Sequence, residues 1–370
     1  MKSTRAIRII TSLSLGVVLL ASLSWIGLGH VSGKIARISV FSGLDNRPEK
    51  TSKALNYLLV GSDTREGLTK AEMKALRVGS TKTAAGGRSD TMLLVHISKK
   101  RDKAYLVSLP RDTLVTIPAH TSTDGKSQIP ARQNKLNAAF AFGGAPLLIE
   151  TIEGETNLKI DHYIEVSFAG FAGIVNALGG IDVCTKVDID DPKSHLVLSA
   201  GTHTLDGIEA LKYVRTRDFD GRGDIGRMQR QQQFMSSVIK KATSTGVLLN
   251  PIKIVNFMNA AISTIKMDEN LSEGDLLNLA KQMRGLSSGN VRTLTVPLSN
   301  ANGSVPGIGS VVIWDEQLSA DLWTRIRDDA ALVDEVTPSP SASSTASAKP
   351  VIVDKFKTRT ASENPCGEIK

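Results

Sequence analysis

Acidic and basic side chains stand beside short apolar runs in the first third of the chain. Asp63 follows one such run, Asp90 precedes the next, and Arg111 follows the third. Residues 99–103 form a turn short enough to make the second and third runs a β-hairpin. We therefore expect Arg88, Asp90 and Arg111 at one end of a sheet. If the first strand runs antiparallel to the second, Asp63 joins them there.

A second polar cluster lies further along the chain. Arg215 and Arg217 alternate with Val214 and Thr216, a pattern that predicts a strand. In a strand the two arginines would project from the same face. Asp224 can cap the helix that follows. Arg227 and Gln231 are four residues apart on this helix and stack on one face. A helix N-terminus flanked by arginines favours binding of an anion.

Each feature alone has an ordinary structural explanation, such as a turn aspartate or a solvated Arg-Thr-Arg strand. Their convergence favours a functional site, because two carboxylates and about five arginines at one sheet end need a compensating anion and cation. A diphosphate with Mg²⁺ is the simplest such ligand. Asp63 and Asp90 would hold the metal, with Mn²⁺ as the alternative, and arginine forks would bind the phosphate oxygens. These groups are typical of phosphoryl transfer.

Other chemistries find little support in the sequence. The six histidines are scattered, and there is no Ser/His/Asp arrangement, P-loop or Gly-rich dinucleotide motif. The net charge of +8 would suit nucleic acid, anionic lipid or a phosphorylated substrate equally well. Cys184 follows a Gly-Gly helix stop and is interpreted as a core residue. With Cys366 it could form one disulfide in an oxidising compartment, or the two could stay unpaired.

The distribution of apolar residues predicts the elements that position these groups. Strand patterns alternate with helical ones, which predicts an α/β (α+β-like) fold with a mixed central β-sheet flanked by helices. We expect this catalytic domain over residues 54–332. A linker at 30–53 precedes it, and a Ser/Pro-rich disordered tail at 333–370 follows it.

A long apolar run lies close to the N-terminus. Residues 9–29 are long enough to span a bilayer as a transmembrane helix, and the basic residues 1–8 place the N-terminus in the cytoplasm. The catalytic domain would then lie outside the cell membrane, where nucleic acid is not a partner. A cleaved signal peptide is the alternative interpretation.

With these residues in view, the sequence resembles the LytR-CpsA-Psr family, which attaches glycopolymers to the bacterial cell wall. The resemblance covers residues 54–240, and its motifs occur in order along the chain. They read LLVGSDTRE, GRSDTMLLVHIS, VSLPRDTLVTIP, KLNAAFAFGG, DHYIEVSFAGFAGIVNALGGIDV, and GTHTLDGIEALKYVRTRD followed by DIGRMQRQQ.

The resemblance implies a reaction and a role for each site residue. The donor would be a polyprenyl diphosphate-linked glycopolymer at the membrane lipid, the acceptor a sugar hydroxyl of peptidoglycan, and the leaving group polyprenyl phosphate. Asp63 and Asp90 match the family's Mg²⁺-associated aspartates. The positions that match its diphosphate-contacting residues are Arg88, Arg111, Arg215, Arg217, Arg227 and Gln231. Catalysis is assigned to Asp90, Arg111, Arg215 and Arg217.

Three points stay open on the sequence alone. Asp90 or a metal-bound species would help to deprotonate the acceptor hydroxyl, but no spacing singles out a base. The protein could instead be a lipid diphosphate hydrolase (pyrophosphatase), or a non-catalytic wall-associated regulator. Phe140, Phe142, Phe168 and Phe171 could line a lipid pocket between sheet and helices, with ordinary core packing as the alternative.

Overall fold

The structure is a computed structural model. It describes residues 36–64, 68–76, 89–217, 220–221, 223–244, 265–283, 286–336, 351–363 and 366. The predicted membrane-spanning helix at 9–29 lies outside these residues, as does Arg88. Within the described ranges, no helix is both long and apolar enough to cross a bilayer.

A mixed sheet of eight strands forms the centre of the described part of the chain. Strands β2 (Leu55–Ser62), β3 (Ser89–Ile97) and β4 (Ala104–Leu109) are antiparallel neighbours. Strand β9 (His162–Val166) runs parallel to β2, and β15 (Val291–Thr295) runs parallel to β4. The predicted α/β fold with a mixed central sheet is therefore confirmed. From one side to the other, the strands are β1 (Ala36–Ile38), β14 (Ile265–Asp268), β9 (His162–Val166), β2 (Leu55–Ser62), β3 (Ser89–Ile97), β4 (Ala104–Leu109), β15 (Val291–Thr295) and β20 (Arg359–Thr360).

Shorter strands pair outside this sheet. All of these pairs are antiparallel. They are β5 (Leu114–Ile117) with β8 (Arg132–Lys135), β6 (His120–Thr121) with β7 (Gln128–Ile129), β10 (Ile181–Thr185) with β13 (Gly201–Leu205), β11 (Ile189–Asp191) with β12 (Leu196–Leu198), β16 (Leu298–Val305) with β17 (Gly309–Trp314), and β18 (Asp334–Val336) with β19 (Val351–Val353).

The strand order brings three predicted site positions to one end of the sheet. The last residue of β2 pairs with the first residue of β3, and β4 ends opposite the start of β3. Asp63, which follows β2, Asp90, at the start of β3, and Arg111, shortly after β4, therefore lie at the same end. We call this the cluster end of the sheet. The predicted antiparallel arrangement of the three strands is confirmed.

Helices cover both faces of the sheet. They are α1 (Lys70–Leu76), α2 (Leu136–Thr156, broken by non-helical backbone at Gly143 and Gly144), α3 (Phe168–Ala177), α4 (Gly207–Tyr213), α5 (Gly223–Ser244), α6 (Glu273–Gln282) and α7 (Glu316–Arg327). Because neighbouring side chains of a strand point to opposite faces, Leu58 and Val60 pack with α2 and α7. Leu93 and Leu106 point the other way, towards α5.

A second hydrophobic core holds α3, α4 and α5 together beside the sheet. Phe234 of α5 is almost fully buried and packs against Phe171 and Tyr213, with ring centroids 5.2 and 6.5 Å apart. Burial raises the pKa of Tyr213 to about 12, so its hydroxyl stays protonated. This core fixes the helices that carry the second polar cluster.

The strand predicted around Arg215 and Arg217 is wrong. Asp206 begins α4 with a capping box, in which its side chain accepts hydrogen bonds from the backbone of Glu209 and Ile208, and the helix continues to Tyr213. The chain then turns, with the amide of Arg215 donating to the carbonyl of Lys212. Capping and burial of the helix override the alternating pattern, so the two arginines do not share a strand face.

The structure differs from the predicted disordered tail in the described residues after 333. Strand β18 pairs with β19, and β20 joins the outermost position of the central sheet beside β15. Phe356 and Ala361 are buried. A disulfide joins Cys366 to Cys184 on β10. The Ser/Pro-rich composition that predicted disorder belongs to 337–350, which lies outside the described residues, whereas the segment after it supplies apolar side chains and a cysteine.

Candidate functional site

A cavity of about 660 Å³ lies between the central sheet and helices α3, α4 and α5. One wall consists of sheet residues such as Leu59, Leu93 and Leu106, and the opposite wall of α5 residues such as Met235 and Val238. At the cluster end of the sheet, Ser62 and Arg111 line the cavity. A volume of this size is in the range of ligand pockets.

Most of the cavity wall is apolar. Phe168, Phe171 and Ile174 of α3 contribute to it, together with Val238 of α5. From Arg227 to Val238 the helix advances eleven residues, or about 16 Å. The cavity therefore provides an elongated apolar slot that starts at a polar end.

The phenylalanines proposed for a lipid pocket divide into two pairs. Phe168 and Phe171 line the cavity, whereas Phe140 and Phe142 pack against the main core on the other face of the sheet. The helical pattern of the segment around Phe140 could not reveal which sheet face α2 covers. The ordinary core interpretation therefore holds for Phe140 and Phe142.

Arg111 stands at the polar end of the cavity in a small charged network. Its Nε donates to Oδ2 of Asp112 at 3.3 Å, and Oδ1 of Asp112 lies 3.1 Å from Nζ of Lys135. Both Arg111 and Asp112 line the cavity. The carboxylate thus orients the guanidinium beside the space where a ligand would sit.

Arg215, Arg227 and Gln231 line the same end of the cavity. The guanidinium of Arg215 lies 5.4 Å from the ring centroid of Phe168, and Arg227 is almost fully buried. Gln231 donates to the carbonyl of Val214 at 3.1 Å, which ties α5 to the turn that carries Arg215. Four of the six positions predicted to contact a diphosphate therefore lie around one cavity.

Arg217 lies outside the set of cavity-lining residues. Its backbone amide donates to Oδ2 of the fully buried Asp191 at 2.5 Å. The same carboxylate accepts hydrogen bonds from the amides of Lys193 and Ser194, so it organises the loop that follows β11. Arg215 thus lines the cavity and Arg217 does not, and the role of Arg217 in diphosphate binding stays a prediction.

The metal-binding prediction rests on the two aspartates at the cluster end. Asp63 is half-buried directly after β2, and the backbone of Asp90 is in β3, next to Thr91, which pairs with Gly61. Two carboxylates on adjacent strand ends suit a hard, partly hydrated cation that also takes phosphate oxygens. Among the described residues, no group of three or more His, Cys, Asp or Glu side chains could hold a metal by itself. Binding of Mg²⁺ by Asp63 and Asp90 stays a prediction.

Two further polar residues at the cavity were missed from the sequence. Gln232 donates to the hydroxyls of Ser108 at 3.2 Å and Thr295 at 2.6 Å, which fastens α5 to the sheet. Asn302 lines the cavity from the β16–β17 hairpin. Gln232 is one of several glutamines in α5, and nothing in the sequence distinguishes it from the others. Asn302 belongs to no recognised motif.

Comparison with known proteins shows to which family the chain belongs. A family model described as the LytR_cpsA_psr family matches residues 32–327. The chain belongs to this family. The membership expected from the sequence motifs is confirmed, and the matched region includes the cavity, α5 and the β16–β17 hairpin.

Family relatives carry names from cell wall biosynthesis. LcpB of Corynebacterium glutamicum, named a probable cell wall biosynthesis protein, is 37% identical over 272 residues, which are 74% of this chain and 61% of that protein. The chain thus spans less than two thirds of that relative. TagU of Bacillus anthracis, named a polyisoprenyl-teichoic acid–peptidoglycan teichoic acid transferase, is 30% identical over 261 residues, 70% of this chain and 80% of that protein.

Solved structures of family members share the fold. TagT of B. subtilis is 27% identical and superposes with a TM-score of 0.57, covering 79% of this chain and 99% of that one. TagT has also been solved bound to LIIa-WTA, with the same TM-score and coverage.

Proposed function

We propose that this LytR-CpsA-Psr protein is a phosphotransferase that moves a glycopolymer phosphate from a polyprenyl diphosphate carrier to a sugar hydroxyl of peptidoglycan. The proposal rests on one observation. Arg111, Arg215 and Arg227 lie together at one end of an apolar slot about 16 Å long. A lipid diphosphate has the matching shape, with an apolar chain attached to a compact anion. The names of TagU and of the TagT complex support the same class of reaction.

The chemical step exchanges one bond at phosphorus. The acceptor hydroxyl oxygen forms a bond to the phosphorus that carries the glycan, and the bond from that phosphorus to the bridging oxygen breaks. The bridging oxygen leaves with polyprenyl phosphate, and the hydroxyl proton goes to a base. Negative charge builds on the bridging oxygen, and arginines held around one cavity stabilise that charge without reorganisation.

The arginines differ in how they are held, which suggests a division of tasks. Arg227 is buried on α5 and contributes a fixed positive charge at the start of the slot. Arg111 is oriented by Asp112, so its terminal nitrogens can address phosphate oxygens bidentately. Gln231 anchors the turn of Arg215 and keeps that guanidinium near the ring of Phe168.

Asp63 and Asp90 are the residues that would hold Mg²⁺, or Mn²⁺ in its place. Such an ion, when bound, neutralises phosphate oxygens and lowers the pKa of groups coordinated to it. The negative charges of the two aspartates would also offset the positive charges of the arginines at the cluster end. Asp90 also stays the candidate to accept the hydroxyl proton.

An N-terminal anchor at residues 9–29 would hold this domain on the outer side of the membrane, where a lipid donor is confined. The path of β1 supports this arrangement. β1 runs parallel to β14, which is antiparallel to β9, so β1 runs antiparallel to β2. Ala36 therefore lies at the cluster end, and a tether that precedes it would hold this end close to the bilayer.

Reconstitution tests the proposal. The purified full-length protein would be mixed with a synthetic polyprenyl diphosphate oligosaccharide and peptidoglycan fragments, with and without Mg²⁺. We expect a glycan–phosphate–glycan product only with metal, and about a hundredfold slower formation by Arg215→Ala. Arg327→Ala, on α7 across the sheet, is the matched control and should keep full activity. Lipid release that does not depend on the acceptor would instead identify a hydrolase.

A further inference from the structure

The β16–β17 hairpin stands over the cluster end of the sheet. It follows β15, which is parallel to β4, so β15 ends where β4 ends. The hairpin is fastened to the turn after Arg111, because the amide of Val312 donates to the carbonyl of Asp112 at 2.9 Å and Thr113 forms a bridge with Val312. The indole of Trp314 adds a hydrogen bond to Thr113 at 3.2 Å. The hairpin and the Arg111 turn therefore form one unit.

A β-bulge aims part of this hairpin into the cavity. Asn300 pairs with Ile313 and Gly303 with Val311, so Ala301 and Asn302 together oppose the single residue Val312. The side chain of Asn300 accepts a hydrogen bond from the amide of Asn302 at 2.9 Å, which holds the bulge. All three residues of the bulge, Ala301, Asn302 and Val312, line the cavity. Bulges redirect side chains in this way and occur often beside active sites.

The chemistry of the hairpin contrasts with that of the arginine cluster. Neither strand carries a charged residue, although the whole chain has a net charge of +8. Its polar side chains are amides and hydroxyls, and all of them are exposed: Ser299, Asn300, Asn302, Ser304 and Ser310. An amide both donates and accepts hydrogen bonds, so it suits the hydroxyl and acetamido groups of a sugar. It offers little to a phosphate that arginines bind better.

From this geometry we infer that the bulge of the β16–β17 hairpin, with Asn302 as its central contact, is the subsite for the acceptor glycan. The inference rests on the proposed transferase function and adds where the uncharged sugar sits. The glycan would lie across the bulge with its hydroxyl towards the space between Arg111 and Arg215. The donor would occupy the apolar slot on the other side of these arginines.

Kinetics of the full-length protein with Asn302→Ala test this subsite. We expect the KM for a soluble peptidoglycan tetrasaccharide to rise about fivefold, since one hydrogen bond to a neutral group is lost. The KM for the lipid diphosphate should change less than the KM for the tetrasaccharide, because the arginines rather than Asn302 bind the diphosphate. Ser304→Ala is the matched control, because Ser304 is exposed on the same strand but does not line the cavity. Asn302→Gln keeps the amide and should recover part of the affinity.

A binding measurement separates failure of the subsite from failure of the proposed function. Isothermal titration of the same tetrasaccharide into each protein should give a Kd about fivefold weaker for Asn302→Ala than for the unsubstituted protein and for Ser304→Ala. Equal Kd values for all three would overturn the subsite, whether or not transfer occurs. Binding that depends on Asn302 in a protein that transfers nothing would support the subsite and refute the transferase proposal. Absence of tetrasaccharide binding by the unsubstituted protein would overturn the subsite.

Discussion

Removal of the Cys184–Cys366 disulfide should cost a large part of the stability of this protein. The bridge closes a loop with a sequence separation of 182 residues. In the chain-entropy model, a loop of this length lowers the free energy of folding by about 5 kcal/mol at 25 °C. Domains are commonly stable by about 5–15 kcal/mol, so the loss should be easy to detect.

The structure indicates where the loss would appear first. The bridge ties residues 351–363 to β10, and this segment contributes the buried side chains Phe356 and Ala361 and the short strand β20. Without the bridge, β20 is held by its short pairing with β15 and by two flanking hydrogen bonds, from the amide of Ala361 to the carbonyl of Val291 and from Arg292 to the hydroxyl of Thr358. We therefore expect faster hydrogen exchange at Arg359 and Thr360 before the rest of the sheet changes.

Guanidinium unfolding followed by circular dichroism measures this effect. The free energy of unfolding of the unsubstituted protein should be about 5 kcal/mol lower with a phosphine reductant than without it. The double variant Cys184→Ala/Cys366→Ala should have the same free energy of unfolding as the reduced protein. The double variant serves as the control for the reductant, because it should not respond to it. A difference below about 1 kcal/mol between oxidised and reduced protein would contradict the chain-entropy reasoning.

Three further substitutions follow from local contacts. In Gly207→Ala, the new Cβ would lie 2.4 Å from the carbonyl oxygen of Ala172, so α4 must move from α3 and thermal melting should show a loss of about 1–3 kcal/mol. Burial lowers the pKa of His96 below its usual 6.5, so the unfolded chain binds this proton more readily than the folded protein, and stability should fall as the pH drops below about 6.5. Denaturation at pH 7.5 and pH 5 should show a smaller pH effect in His96→Gln, and an equal effect would refute that origin. Asp112→Asn should lower kcat about tenfold because Arg111 loses its orienting carboxylate, and Asp112→Glu should restore part of the rate.

The strand arrangement at the cluster end of the sheet could be predicted from the sequence better than the structure of the segments that surround it. The order of β2, β3 and β4 follows from apolar runs and one short turn, so the positions of Asp63, Asp90 and Arg111 could be inferred. Helix α5 was predicted from its period, which placed Arg227 and Gln231 on one face.

The errors share a physical cause, since they depend on contacts between distant segments. Arg215 and Arg217 have the alternation of a strand, but the capping box at Asp206 and packing of α4 against α3 extend a helix up to the turn before them. The position of Phe140 depended on which sheet face α2 covers, which periodicity does not state. The bulge at Asn302 depends on the pairing register of β16 and β17, and no local pattern predicts it.

The two outermost strands of the central sheet have a practical consequence for recombinant work. Both are very short, three residues in β1 and two in β20, and each comes from near one end of the described chain. Short terminal strands of this kind block the exposed backbone donors and acceptors that would otherwise template aggregation between copies. A version cut to residues 54–332, the bounds suggested by sequence, would lack both strands and the second cysteine. It would expose the flanks of β14 and β15 and should form oligomers, whereas a version that retains residues 36–366 keeps both flanks covered.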